Sequence, residues 1–371
     1  MKYWGSIRGV AISGLVGALI FLGFILLSFP HGNGSKITEV VSTQRVSQCE
    51  GGKKHSSECW FALIDDSLKR EGVSASLETL ARLYAQEPDF AGICHGASHK
   101  IGAGAYVLFS EGKPVDVTNK ISYCGYGFYH GFMEALLADT GDVFKAQAFC
   151  THISKEFKNI GQNVEGPCYH GIGHGVVDGS DPTTRGKPLM MVKPGLDLCR
   201  KVAPNELMLD RCATGVFNSL AILYHDPKYS WDIDRKDPFH VCAQFEDSIF
   251  RRACYKQFDT IVLTSEKDFF TALHIAEKIP NAMDAQAAIL GIASYEAYFV
   301  HKESDFSLVI QTCKSLEEKF QNTCLFEYSE GLMEFGFPGK ELQNAVLFCG
   351  RRELTINQAT TCRRIVNEYG T

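Results

Sequence analysis

The sequence predicts an all-α fold: a disulfide-stapled αα-hairpin repeat array, solenoid-like, that follows one N-terminal transmembrane helix. Three observations predict it. Cysteines recur at a fixed step, with Cys124, Cys168 and Cys212 lying 44 residues apart and Cys254 following at nearly the same distance. Between them apolar residues keep helical spacing and break at Pro and Asn turns, while strand signals are scarce. Ahead of the repeats stands an uncharged, mostly apolar stretch, Val10 to Phe29, roughly as long as a helix that crosses a bilayer.

The N-terminal part divides simply. Residues 1–9 form a cytoplasmic tip whose Lys2 and Arg8 place everything after Phe29 outside, by the positive-inside rule. Residues 10–29 are read as a signal-anchor that holds the chain in the cell membrane by a single pass. A cleaved signal peptide is the alternative. Its apolar core is usually shorter, and no Ala-x-Ala site follows Phe29. Residues 30–48 are polar, with Gly32, Gly34 and several Ser and Thr, and read as a tether. Residues 49–371 are the extracytoplasmic domain, periplasmic or extracellular. The 14 cysteines agree with that side of the membrane, because an even, high count behind an export signal reads as a disulfide framework. In a reducing cytosol the same residues would be metal ligands or buried thiols, a reading that leaves their regular spacing without a cause.

A second cysteine series precedes the first by about a dozen residues. It gives the couplets Cys49/Cys59, Cys199/Cys212, Cys242/Cys254, Cys313/Cys324 and Cys349/Cys362, with Cys150/Cys168 a stretched version. Cys94 and Cys124 remain and are expected to pair. A cysteine-free copy sits between Cys254 and Cys324, where Ala288 to Ser294 aligns with Cys212 to Asn218. Each unit reads as two helices: Leu196–Val202 then Cys212–Leu223, Phe239–Phe245 then Phe250–Leu263, Phe269–Ile279 then Ala285–Val300. Ser74–Tyr84 reads as a helix capped by Ser74, and Gly179–Gly195, with its three prolines, as an inserted loop. A period of about forty residues with two helices per unit resembles helical repeat proteins in general, in which neighbouring hairpins stack to bury faces that none can bury alone.

At 371 residues, 45% hydrophobic and 22% charged, the chain has the composition of a globular protein. Its net charge of -6 is spread evenly, and without a basic stripe or a recognisable motif nucleic acid is excluded as a partner.

Function is expected in the early repeats, 94–218, where one phrase recurs. It reads Cys94-His95-Gly96-Ala97-Ser98-His99, then Tyr126-Gly127-Phe128-Tyr129-His130, then Cys168-Tyr169-His170-Gly171-Ile172-Gly173-His174, with a fading copy at Thr214-Gly215-Val216-Phe217-Asn218. Residues four apart share a helix face, so His95/His99 and His170/His174 each form a pair, and Tyr126, His130 and Glu134 line up likewise. With the second helices aligned on their cysteines, the residue six further on is His130, His174, Asn218, Thr260, Ser294, Glu330 and Glu368, while His99 falls in place in the earliest copy. Paired imidazoles at this spacing can present two ligands to one ion. His95, His99, His130, His170 and His174 are the candidate metal ligands. Glu134 is a carboxylate ligand or the catalytic general base, and Tyr126, Tyr129 and Asn218 are candidate cofactor contacts. The plainer reading is close packing, with each His bonded to a neighbouring carbonyl. His31, His55, His152, His225, His240, His274 and His301 fall outside the frame.

A His-rich site with one carboxylate suits zinc, copper or iron, with non-covalent haem a further option. The patterns Cys-x-x-Cys-His, His-Glu-x-x-His, Gly-x-Ser-x-Gly and the P-loop are all absent. The sequence therefore supports a membrane-anchored extracytoplasmic protein that binds a transition metal or metal cofactor, with redox or hydrolytic chemistry. The alternative is a non-catalytic helical-repeat scaffold for a protein or peptide partner.

Overall fold

A computed structural model describes residue 49 and residues 56–369, apart from 114, 116–117, 159–163, 178–182, 185, 225–236, 238, 259–267 and 301. All of these belong to one compact unit, Arg45–Thr371. The expected cytoplasmic tip, signal-anchor (10–29) and tether (30–48) lie outside the described residues. Among the described residues, no helix is long and apolar enough to cross a membrane.

The described residues are helical, with no strand among them. The α-helices are α1 (Ser56–Glu71), α2 (Val73–Gln86), α3 (Cys94–Ser110), α4 (Gly127–Thr140), α5 (Val143–Lys158), α6 (Glu165–Gly175), α7 (Pro188–Val202), α8 (Glu206–Tyr224), α9 (Ser248–Gln257), α10 (Phe269–Ala276), α11 (Ala282–Phe299), α12 (Phe306–Lys314), α13 (Glu318–Phe335), α14 (Glu341–Cys349) and α15 (Ile356–Tyr369). The inner helices pack in the order α3, α4, α6, α8, α9, α11, α13, α15, and α5, α7, α10, α12 and α14 lie outside them.

All 14 cysteines pair as the spacing proposes, and none is free. The bonds are Cys49–Cys59, Cys94–Cys124, Cys150–Cys168, Cys199–Cys212, Cys242–Cys254, Cys313–Cys324 and Cys349–Cys362. From Cys150 onward each joins an outer element to the start of the next inner helix. Closing a loop of a dozen or so residues contributes about 3 kcal/mol by restricting the unfolded chain. The cysteine-free hairpin α10–α11 keeps its place by packing, capping and polar contacts such as the Arg251–Asp284 ion pair at 2.8 Å. Ala288 is fully buried there, and the Asn281 side chain accepts from the amides of Met283 and Asp284.

Four details depart from expectation. The segment read as an inserted loop, Gly179–Gly195, already contains the start of α7: Pro188 opens the helix, where its missing N–H costs nothing. Helix α2 is capped by Gly72, at φ 88°, so Ser74 lies inside the first turn rather than at its cap. The piece from Phe239 to Phe245 forms turns and one short 3-10 segment, Cys242–Gln244, in place of a helix. The fourth is larger. The inner row curls back on itself, whereas an open solenoid would keep its ends apart.

The contacts that bring the ends together are specific. The Tyr298 hydroxyl on α11 donates to the Ala91 carbonyl at 2.8 Å, across 207 residues of sequence. Phe337 packs edge-on against Tyr84, ring centroids 4.9 Å apart. Glycines at the inner seams let neighbouring inner helices approach closely. A Cβ added to Gly131 would stand 1.9 Å from the His99 carbonyl oxygen, and one at Gly291 would stand 1.9 Å from that of Lys256. Inner helices thus touch backbone to backbone at these glycines, closer than side chains usually allow.

The curl bounds a cavity of about 1010 Å³. His130, Asn218, Ser294, Glu330 and Glu368, all from one position of the repeat frame, line it.

Candidate metal centre

Helices α3, α4 and α6 stand side by side, and their inward faces carry the five histidines in register. His130 on α4 sits between the two pairs. Its ring centroid is 5.0 Å from those of His95 and His99, 4.9 Å from that of His170 and 4.1 Å from that of His174. Gly131 permits this spacing on the α3 side, and Gly215 lets α8 approach the His170 carbonyl on the far side of α6. Ligand atoms converge to within 4.8 Å in three groups: His95/His99/His130, His130/His170/His174 and His99/Glu134/His174. The five expected metal ligands are brought together, and Glu134 joins them.

The hydrogen bonds on the outer ring nitrogens decide which nitrogen faces inward. His95 Nδ1 lies 2.8 Å from the Cys124 carbonyl oxygen. A carbonyl only accepts, so Nδ1 carries the proton and Nε2 keeps its lone pair. His170 Nδ1 lies 2.9 Å from Thr214 Oγ1, and that hydroxyl donates to the Arg211 carbonyl at 2.7 Å. With its own proton committed, Thr214 accepts from His170, and Nε2 is again bare. His174 Nδ1 faces Ser219 Oγ at 3.1 Å and Glu134 Oε1 at 3.4 Å, while its Nε2 is buried without a hydrogen-bond partner among the described residues. His99 Nδ1 faces Glu134 Oε2 at 3.6 Å, and His99 Nε2 lies 3.1 Å from His130 Nδ1. Metal-bound histidines are characteristically held this way, with the other ring nitrogen on a carbonyl, hydroxyl or carboxylate.

The Cys124 carbonyl is aimed by an uncommon turn. Cys124, Gly125 and Tyr126 all adopt left-handed backbone, at φ 58°, 68° and 58°. For Cys and Tyr this conformation costs on the order of 1 kcal/mol each. The Cys94–Cys124 bond ties the turn to the first residue of α3, next to His95.

Burial keeps His95, His130, His170 and His174 neutral. Burial, with the charge of His99 behind it, pushes His95 down to about 3 against the opposing bond to Cys124. Burial and neighbouring imidazoles also lower His130 and His170. His174 falls through burial although Glu134 pulls it up. Burial pushes Glu134 up, but hydrogen bonds and charge attraction from His174 and His99 outweigh it and hold the carboxyl well below the usual range. The site therefore offers neutral nitrogens and one carboxylate, the forms that bind a cation. The Glu134 side chain keeps 44% of its surface accessible, so that end of the cluster reaches water.

Other expected residues are placed differently. Tyr126 caps α4 and lines the cavity beside His130. Asn218 also lines it and donates to Gln257 at 2.9 Å. Tyr129 is fully buried, and the Gly171 seam packs against its carbonyl; its ring lies among Tyr126 and Phe128 rather than with the imidazoles. His240 and His274 stay outside the cluster, bonded to the Asp237 carbonyl and to Glu277, while His31, His55, His225 and His301 lie outside the described residues.

Sequence reasoning did not assign roles to Ser219, Arg211 or Lys256. Lys256 was findable, because it stands one turn before the frame position in its repeat, as His95, Tyr126, His170 and Thr214 do in theirs. The cavity wall across from the histidines holds Arg211, Lys256, Glu327, Glu330 and Glu334. Burial, with Glu330 behind it, pushes Glu327 up to about 7 against the pull of Lys256 and Arg211.

Fold and site together define an all-α, disulfide-stapled repeat protein with a buried His cluster able to hold a metal ion. Seven disulfides suit an oxidising, extracytoplasmic environment. No known protein family, curated protein or solved structure matches the chain in the comparisons made.

Proposed function

We propose that this is a membrane-anchored extracytoplasmic protein that holds a transition metal in the His cluster of its early repeats and presents it to the central cavity. The observation that carries the reading is the set of inward-facing Nε2 atoms. Those of His95 and His170 are bared by bonds on their Nδ1 atoms, and that of His174 is buried with no hydrogen-bond partner among the described residues. A packing role accounts for the outer bonds but leaves the buried His174 Nε2 unsatisfied among the described residues, at a cost of about 1–3 kcal/mol.

Nitrogen-rich ligation with one carboxylate fits zinc, copper or iron. Imidazoles this close leave no slot for a porphyrin between any pair, which favours a bare ion over haem. The ion would polarise a substrate or activate water, or cycle between oxidation states if it is copper or iron. His95, His130 and His170 line the cavity, which gives a substrate its approach. Glu134, placed between His99 and His174, suits a ligand or an orienting carboxylate better than a free general base.

The test is elemental analysis of untagged protein. Near-stoichiometric metal is expected, with loss in a His130→Ala/His174→Ala double variant. Metal-free wild-type protein with normal helical content would overturn the reading, and the scaffold for a protein or peptide partner would take its place.

A further inference from the structure

We infer that the cluster is built for two metal ions, one at each seam beside α4, with His130 between them. The inference rests on the metal-binding reading above and concerns how many ions bind. Ligand atoms on one ion stand about 3–4 Å apart when each bond is about 2.0–2.1 Å. The groups built of nitrogens alone, with ligand atoms within 4.8 Å of one another, each lie within one seam, whereas the group that includes Glu134 joins His99 to His174 across both. His95, His99 and His130 meet between α3 and α4, and His130, His170 and His174 meet between α4 and α6. No convergent group among the described residues joins His95 to His170. One ion ligated by three of these nitrogens would therefore use one flanking pair and leave the other pair without a metal.

The middle helix is built to serve both sides. His130 belongs to both nitrogen groups, and as an imidazolate, its ring proton released to solvent on metal binding, it offers a lone pair on each ring nitrogen. Its Nδ1 faces His99, while its ring lies against those of His170 and His174. One turn on, Glu134 also divides itself, with Oε2 toward His99 and Oε1 toward His174. The layout is nearly symmetric about α4: an i,i+4 pair on α3, an i,i+4 pair on α6, and a residue pair shared between them. Each seam supplies three nitrogens, the number that leaves a four-coordinate ion one position for a substrate or water. Two such ions could clamp two atoms of a single substrate entering from the cavity.

The experiment is a titration of chelator-stripped, untagged full-length protein with Zn²⁺ and with Co²⁺, followed by desalting and elemental analysis. Two ions per chain are expected. His95→Ala/His99→Ala and His170→Ala/His174→Ala variants should each retain one, with helical content checked by circular dichroism. A wild-type protein that saturates at one ion would overturn the inference while leaving the metal-binding reading intact. So would loss of all metal from either folded variant. A wild-type protein that binds none would instead defeat the reading on which the inference rests. The wild-type stoichiometry decides the matter even if a variant fails to fold.

Discussion

Thr214 Oγ1 accepts from His170 Nδ1 at 2.9 Å while donating its own proton to the Arg211 carbonyl at 2.7 Å. A hydroxyl three residues into the next repeat's frame thus sets the tautomer of a candidate ligand. We predict that Thr214→Val, which keeps the shape and removes the acceptor, weakens metal affinity about 10–100-fold. Thr214→Ser should restore it. Competition against a metal-indicator dye measures both. Unchanged affinity in the valine variant would show that His170 is not a ligand.

Gly131 and Gly96 should respond oppositely to alanine. A Cβ at Gly131 meets the His99 carbonyl at 1.9 Å, and backbone cannot yield as a side chain can. Gly131→Ala should destabilise by about 1–3 kcal/mol or more and spread the imidazoles. Nothing lies within 4 Å of a Cβ at Gly96, so Gly96→Ala should be neutral or stabilising by about 0.5–1 kcal/mol, the usual helix gain. Thermal and denaturant unfolding compare the two.

Replacing Cys94 and Cys124 together by Ser should cost about 2–4 kcal/mol. It should also release the left-handed turn that aims the Cys124 carbonyl at His95. Weaker metal binding is therefore expected to accompany the loss of stability. For the Cys349→Ser/Cys362→Ser variant, far along the chain, only the stability loss is expected. Equal metal affinity in both variants would disconnect the turn from the site.

Glu327 gives a pH dependence with a definite sign. Its folded carboxyl holds a proton up to about 7, against an ordinary value of 4.5. Between those values the unfolded chain releases the proton and the folded chain keeps it. The stability this group contributes is full below the ordinary value and is lost as pH rises to the folded one. Glu296, also raised to about 7 by burial, acts in the same direction. The four histidines that burial lowers act in the opposite direction below about pH 6.5, where the unfolded chain binds the extra protons. The Glu327 contribution is therefore read as a difference: the melting temperature of Glu327→Gln should rise relative to the wild type as pH goes from about 5 to 8. The gain at the upper end should be on the order of 1 kcal/mol, after allowing for water in the cavity. An identical pH profile in the variant would refute the assignment.

Much of the architecture was legible because its signals are local and periodic. The cysteine step fixed the repeat, and every disulfide follows from it, including Cys94–Cys124, reached by elimination. Helix ends were less legible. Pro188 begins a helix inside a stretch whose prolines and glycines read as loop, because a proline at a helix start and one inside a loop look alike in sequence. At the site, the five histidines stand out because they share one helical frame. Ser219 and the Cys124 carbonyl do not, since a serine outside the frame and a main-chain oxygen carry no sequence signal.

The sequence by itself determined the helical repeats, their disulfide staples and the candidate ligand set, because periodicity and covalent spacing are properties of the chain. Only the tertiary structure decided that the array curls back on itself, that Glu134 stands between His99 and His174, and which imidazole nitrogens face inward. The curl depends on contacts between residues far apart along the chain, such as Tyr298 with Ala91 and Tyr84 with Phe337. A histidine's tautomer depends on an acceptor supplied by another helix, and neither is written in the spacing of residues along one.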